Sequence, residues 1–123
     1  MTSQPTAETR PRTADAIRAR NAALDAELRA TVADLPAGRL HADPGDGEWT
    51  LAEQLGHIAE FPRFFAPDLI RQLREEHPTI GRTSDHPGRN AAVAAARGRT
   101  LPDLQAELDA SLDRLAAALE EVR

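Results

Sequence analysis

Apolar residues recur along this chain at helical spacing and nowhere in the strict alternation of a half-buried strand. Ile17, Leu24, Leu28, Val32 and Leu35 follow one another at intervals of 7, 4, 4 and 3, which places them on one stripe of a helix. Thr13 precedes the stripe as an N-cap, and Asp15 suits the positive end of the helix. Pro36 and Gly38 close it. The pattern predicts a first helix over 14–33, with Leu40 tucked under the Pro/Gly-rich turn that follows.

A second helix is predicted to start just after Trp49. Thr50-Leu51-Ala52-Glu53 is a capping-box pattern, in which the Thr50 hydroxyl accepts from the Glu53 amide and the Glu53 carboxylate returns the bond. Advancing about 100° per residue from Leu51, the side chains of Leu55, Ile58, Pro62, Phe65 and Leu69 fall within about 40° of it. A second flank carries Phe64, His57 and Phe61, bordered by Glu53 and Glu60. Buried on two sides, this helix needs neighbours on both. Pro62 and Pro67 each remove an amide donor and crowd the preceding turn, so a break is expected at Pro67, with 68–76 as a separate segment.

The two His-Pro steps and two glycines of 77–89 predict a loop. A short helix over 90–97 is predicted, capped by Asn90 and ended by Gly98. The third long helix carries the strongest pattern. Thr100 caps it, Asp103 stands at the capping-box position, and Leu101, Leu104, Leu108, Leu112, Leu115, Leu119 and Val122 follow at intervals of 3, 4, 4, 3, 4 and 3, a heptad stripe. The first and third long helices, each roughly 30 Å at 1.5 Å per residue, suit antiparallel packing. The fold class is all-α: residues 1–12 form a disordered N-terminal arm and 13–123 one helical bundle domain.

Composition then removes chemistries. The chain has 123 residues and no cysteine, so disulfides, thiolate nucleophiles and cysteine-ligated metals are excluded. It has no tyrosine, and every basic residue is arginine, which removes Schiff-base lysines and tyrosine acids. A net charge of −5 argues against nucleic acid as a partner. No apolar run is long enough to span a membrane, and the first residues lack a secretory h-region, so a cytoplasmic location is expected.

The chemistry that remains centres on His57. Glu53, His57 and Glu60 stand at i−4, i and i+3 and share a helical face. An imidazole between two carboxylates suits a divalent metal or acid–base work; the same spacing is equally that of an ordinary solvated helix face. His41, His77 and His86 lie in turn-rich segments and read as loop residues. Ser84-Asp85-His86 names the parts of a hydrolytic triad, but three consecutive residues cannot converge as a triad must. Arg82, Arg89, Arg97 and Arg99 make a locally positive stretch suited to a small anion or to solvent.

The stretch from Leu35 to Leu69, with Trp49-Thr50 opening a helix and His57 eight residues past the tryptophan, resembles the DinB/YfiT-like superfamily, which includes relatives of mycothiol-dependent maleylpyruvate isomerase. The segment AAVAAARGRTLPDLQAEL resembles that family's lead into its third helix, and the likeness extends over about 14–123. It implies an up-down-down-up helical bundle. It also implies a divalent metal, Zn or Ni, held by three histidines: one on the second helix, matching His57, and two from a His-x-x-x-His pair on a fourth. Implied activities are thiol (mycothiol) transfer and metal-dependent hydrolysis. The sequence ends after the third long helix without that pair, so the expectation is an incomplete metal site with His57 at a ligand position and support from Glu53 and Glu60. If the protein is an enzyme, a divalent-metal-dependent thiol transferase or hydrolase is implied. The alternative is a non-catalytic module that homodimerises through the second-helix face, where Ile58, Phe61, Phe64 and Phe65 lack a fourth wall. A small thiol or other small molecule is the expected ligand.

Overall fold

The computed structural model describes residues 13–82 and 86–123; the expected N-terminal arm, and Ser84 and Asp85 of the Ser-Asp-His run, lie outside them. Four α-helices and one 3-10 turn account for the regular structure, and no strand occurs among the described residues. Helix α1 spans Ala14–Ala33, α2 Leu51–Arg74, α3 Pro87–Ala95 and α4 Leu101–Leu119. No described helix is long and apolar enough to cross a membrane.

The caps fall where local chemistry put them. Thr13 accepts from the Ala16 amide, and Thr100 accepts from the Asp103 amide. At α2 both halves of the capping box form: the Glu53 amide donates to Thr50 Oγ1, and the Thr50 amide donates to Glu53 Oε1, each at 3.1 Å.

Helix α2 corrects the expected break at Pro67, since it runs unbroken through Pro62 and Pro67. Its packing supplies the reason. α2 lies along α4 over most of its length, and contacts on both sides of the prolines hold the two halves in line. The Ser111 hydroxyl donates to the Ala59 carbonyl and Arg63 pairs with Glu107 at 2.9 Å. Beyond the prolines Arg74 pairs with Glu121 at 3.1 Å. From Ala59–Ser111 to Arg74–Glu121 the contacts advance along both helices, and Ala66 and Ile70 line a cleft with Arg114 and Ala118 between them, so α2 and α4 run parallel.

The buried side of α2 is also rotated from the expected stripe. Ala52, Ala59 and Ala66, seven residues apart, are buried with Leu55 and Pro62, while Leu51, Ile58, Phe65 and Leu69 are only half-buried. The alanines let α4 approach closely. In return α4 buries Leu104, Leu108 and Leu112, each contributing about 1.5–3 kcal/mol by leaving water.

Helix α1 packs chiefly on α4. Arg18 near its start donates to the Leu119 and Val122 carbonyls, and Arg29 near its end bonds Asp109 and Asp113, both at 2.8 Å; the two helices are antiparallel. Only the last part of the α1 stripe faces the core. Val32 is buried and Leu28 and Leu35 pack against it, whereas Ile17 and Leu24 stand 39% and 52% exposed.

The short helix also differs from expectation. It starts at Pro87, not Asn90, because His86 caps it: Nδ1 accepts from the Gly88 amide at 3.0 Å. Pro87 occupies the first turn, where a missing N–H costs nothing. After α3, Gly98 (φ +79°) turns the chain into α4 through a left-handed conformation that favours glycine. Leu40 is buried as expected, and its carbonyl accepts from the Ala52 amide.

Candidate functional site

Helix α3 packs on α2 beside the side that carries His57. The flank expected to lack a wall is covered in part by the chain itself. The contact is possible because residue 56 is glycine. A Cβ there would lie 2.7 Å from Ala96 Cβ and 2.8 Å from the Ala92 carbonyl oxygen, closer than side chains tolerate. α3 therefore sits in a notch, with Val93 and Ala96 buried.

The connection between α2 and α3 adds to the wall. The Gly81 amide donates to Asp68 Oδ2 at 2.7 Å. Arg82 extends both terminal nitrogens to the two oxygens of Glu60, and both side chains are only 6% exposed. The Arg82 guanidinium lies 4.2 Å above the Phe64 ring, a cation–π stack, and His86 meets the same ring edge-on at 5.2 Å. Its bonds to Glu60 raise the Arg82 pKa above its ordinary value. Phe64 is thus covered by the chain itself. Phe61 is not: it stays 53% exposed, its ring 4.5 Å from that of Phe65.

His57 is half-buried. Its ring lies 5.2 Å from Trp49, and its Nδ1 is buried without a hydrogen-bond partner among the described residues. His57, Trp49, Glu48, Gln54 and Ile58 line an open cleft of about 430 Å³. The Arg89 guanidinium lies 5.2 Å over the other participant in this cluster, the Trp49 ring. Two sequence signals marked this place, Trp49-Thr50 and His57, and the structure brings them together.

The carboxylates expected to support His57 turn to arginines. Glu53 Oε2 accepts from Arg97 Nε at 3.0 Å, while Oε1 completes the α2 cap. The Thr50 amide first, and the Arg97 side chain second, hold the Glu53 pKa below its ordinary value. Glu60 is taken by Arg82. No group of three histidines or acidic residues able to hold a metal occurs among the described residues. A metal-bound imidazole also normally has its second nitrogen held by an acceptor, and His57 Nδ1 has none there. The described residues do not fit a divalent metal on their own.

The remaining predicted residues are scattered. His41 Nε2 bonds the Arg99 carbonyl at 2.7 Å, pinning the first turn to the α3–α4 connection. His77 is exposed, and His86 is the α3 cap. The positive stretch is not a solvated loop, since Arg82, Arg97 and Arg99 pair with Glu60, Glu53 and Glu107. Sequence reasoning missed these pairs because Glu53 and Glu60 were assigned to a metal, and because Glu107 meets Arg99 only once the α3–α4 connection has turned back on α4.

The family model described as the mycothiol maleylpyruvate isomerase N-terminal domain matches residues 21–123. The chain belongs to this DinB/YfiT-like family. The matched region contains all four helices except the first turns of α1, and with them the whole Trp49–His57 cleft. Neither the curated proteins nor the solved structures gave a match.

Proposed function

We propose that this mycothiol maleylpyruvate isomerase-like chain is a helical module that binds a small thiol in the Trp49–His57 cleft. One observation carries the reading: the His57 imidazole stands beside the Trp49 indole at an open cleft of about 430 Å³. An imidazole nitrogen can receive a thiol proton or hold the thiol by a hydrogen bond. The indole offers a flat apolar wall to the rest of the ligand. The family's thiol, mycothiol, supplies the ligand class. The antiparallel α1–α4 and parallel α2–α4 pairs agree with the first three long helices of an up-down-down-up order. In the family reading, Zn or Ni would supply Lewis-acid chemistry at His57. The described residues lack that ligand set, so the chain's own contribution is binding and proton handling.

Trp49 is the chain's one tryptophan, and its fluorescence reports on the cleft directly. Titration with mycothiol should change the emission saturably, and the S-methylated analogue should bind more weakly. His57→Ala should erase the difference between the two. No saturable change, or an undiminished preference in His57→Ala, overturns the reading.

Phe61 favours a second reading. Its half-exposed ring on α2 suits a module that homodimerises through the second-helix face.

A further inference from the structure

Three carboxylates on α2 each hold a group from the stretch that follows it. Asp68 accepts the Gly81 amide. Glu60 accepts the full fork of Arg82. Glu53 accepts Arg97 Nε. The last two ties lie at opposite ends of the stretch that carries α3, and between them Ala92 and Ala96 close on the Gly56 notch. Glu60 also stands by the first turn of α3: a Cβ built on Gly88 would lie 3.3 Å from Glu60 Oε1, so the carboxylate is placed at the positive end of that helix.

We propose that Glu53 and Glu60 are arginine receptors that fasten both ends of the α3-bearing stretch to α2, and that neither is a divalent-metal ligand in this protein. The geometry of Glu60 decides its role. A carboxylate engaged by a two-pronged guanidinium uses both oxygens. Withdrawing it to a metal would strand Arg82, whose side chain is 6% exposed and stacked on Phe64, without a counter-charge. Glu53 is committed differently: one oxygen caps α2 and the other binds Arg97. Arg97 is 66% exposed, so this is the looser fastening. Helix α3 therefore depends more on Glu60–Arg82 than on Glu53–Arg97.

Amide hydrogen exchange of the full chain, paired with titration of Zn²⁺ and Ni²⁺ alone, tests this. Glu60→Gln and Arg82→Gln should each speed exchange across Pro87–Ala95 by about tenfold or more, and the double variant should be no faster than either. Arg82→Lys, which keeps the charge but loses the fork, should fall between them and the parent. Glu53→Gln and Arg97→Gln should have smaller effects, equal to each other. Metal uptake should be the same in the parent, Glu53→Gln and Glu60→Gln. Loss of metal uptake on removing either carboxylate overturns the proposal, as does α3 exchange that ignores Glu60→Gln and Arg82→Lys. Thiol binding at Trp49 is read separately, so its failure leaves this result standing.

Discussion

At the scale of single residues, Glu53 shows what a sequence carries and what it leaves out. Its bond to Thr50 spans three positions of one helix and is legible in four consecutive letters. Its bond to Arg97 spans 44 positions and is invisible until the chain folds, which is why the carboxylate reads in the sequence as support for His57. The two bonds together depress the Glu53 pKa, and the sign of the consequence follows. A carboxylate whose folded pKa lies below its unfolded value stabilises the fold fully above the unfolded value, and that stabilisation is lost as pH falls through the folded one. Glu53's contribution should thus begin to decline as pH drops below its ordinary 4.5 and be gone once the depressed folded value is passed. Urea unfolding of the parent and of Glu53→Gln, followed across this range, should show the two stabilities converging toward low pH. A constant gap would mean that Glu53 acts through shape and not charge. His57 presents the opposite case: its position was legible from the Trp49 spacing, while its lack of a partner at Nδ1 is a property of the packed state alone.

At the scale of helices, boundaries with local causes were readable and boundaries with tertiary causes were not. Thr13, Thr50 and Thr100 announce their helices. Pro67 announces a break that packing along α4 overrides. The start of α3 is the exception: its His86 cap is local, but histidine is not among the residues that ordinarily mark an N-cap. Gly56 is the deciding position. An alanine in an exposed helix gains about 1 kcal/mol over glycine through reduced backbone entropy. At residue 56 the added methyl meets Ala96 Cβ at 2.7 Å and a backbone oxygen at 2.8 Å, and overpacking of this kind costs about 1–3 kcal/mol. The penalty outweighs the gain because the oxygen belongs to the α3 backbone and cannot turn aside. Gly56→Ala should therefore destabilise the protein, and Ala96→Gly should restore part of the loss by removing one of the two obstacles. Thermal unfolding followed by circular dichroism checks both. A Gly56→Ala variant as stable as the parent would show that α3 shifts freely on α2, and the close crossing would then have no energetic role.

At the scale of the molecule, the all-helical class was legible from periodicity and the antiparallel pairing of the first and third long helices from their matched lengths, but what flanks α2 was not. Helix α2 was expected to need neighbours on both sides, with one wall lacking. Instead α1 rests mainly on α4 while α3 takes the His57 side, because heptad alanines on α2 admit α4 on one face and Gly56 admits α3 on the other. The apolar surface left over is consequently smaller than the stripes suggested and lies in different places. Phe64 is sheltered by Arg82 and His86, which removes it from any dimer face. Phe61 remains, stacked on Phe65 and continuous with Ile58 beside the cleft. Two such faces meeting would bury four phenylalanine rings and extend the wall of each cleft. The net charge of −5 opposes that meeting, and salt screens it within about 10 Å at 0.1 M. Light scattering should therefore give a mass that rises from the 13.3 kDa of one chain toward twice that value as protein and salt concentrations increase. Phe61→Glu adds a charge to each copy at the point of contact and should hold the protein at one chain under every condition, while the chain stays folded with at most a modest drop in its unfolding midpoint, because the ring is 53% exposed and loses only its stack on Phe65. A parent that stays at one chain in concentrated, high-salt solution would remove the dimer and leave Phe61 as an isolated exposed ring of the kind most soluble proteins carry.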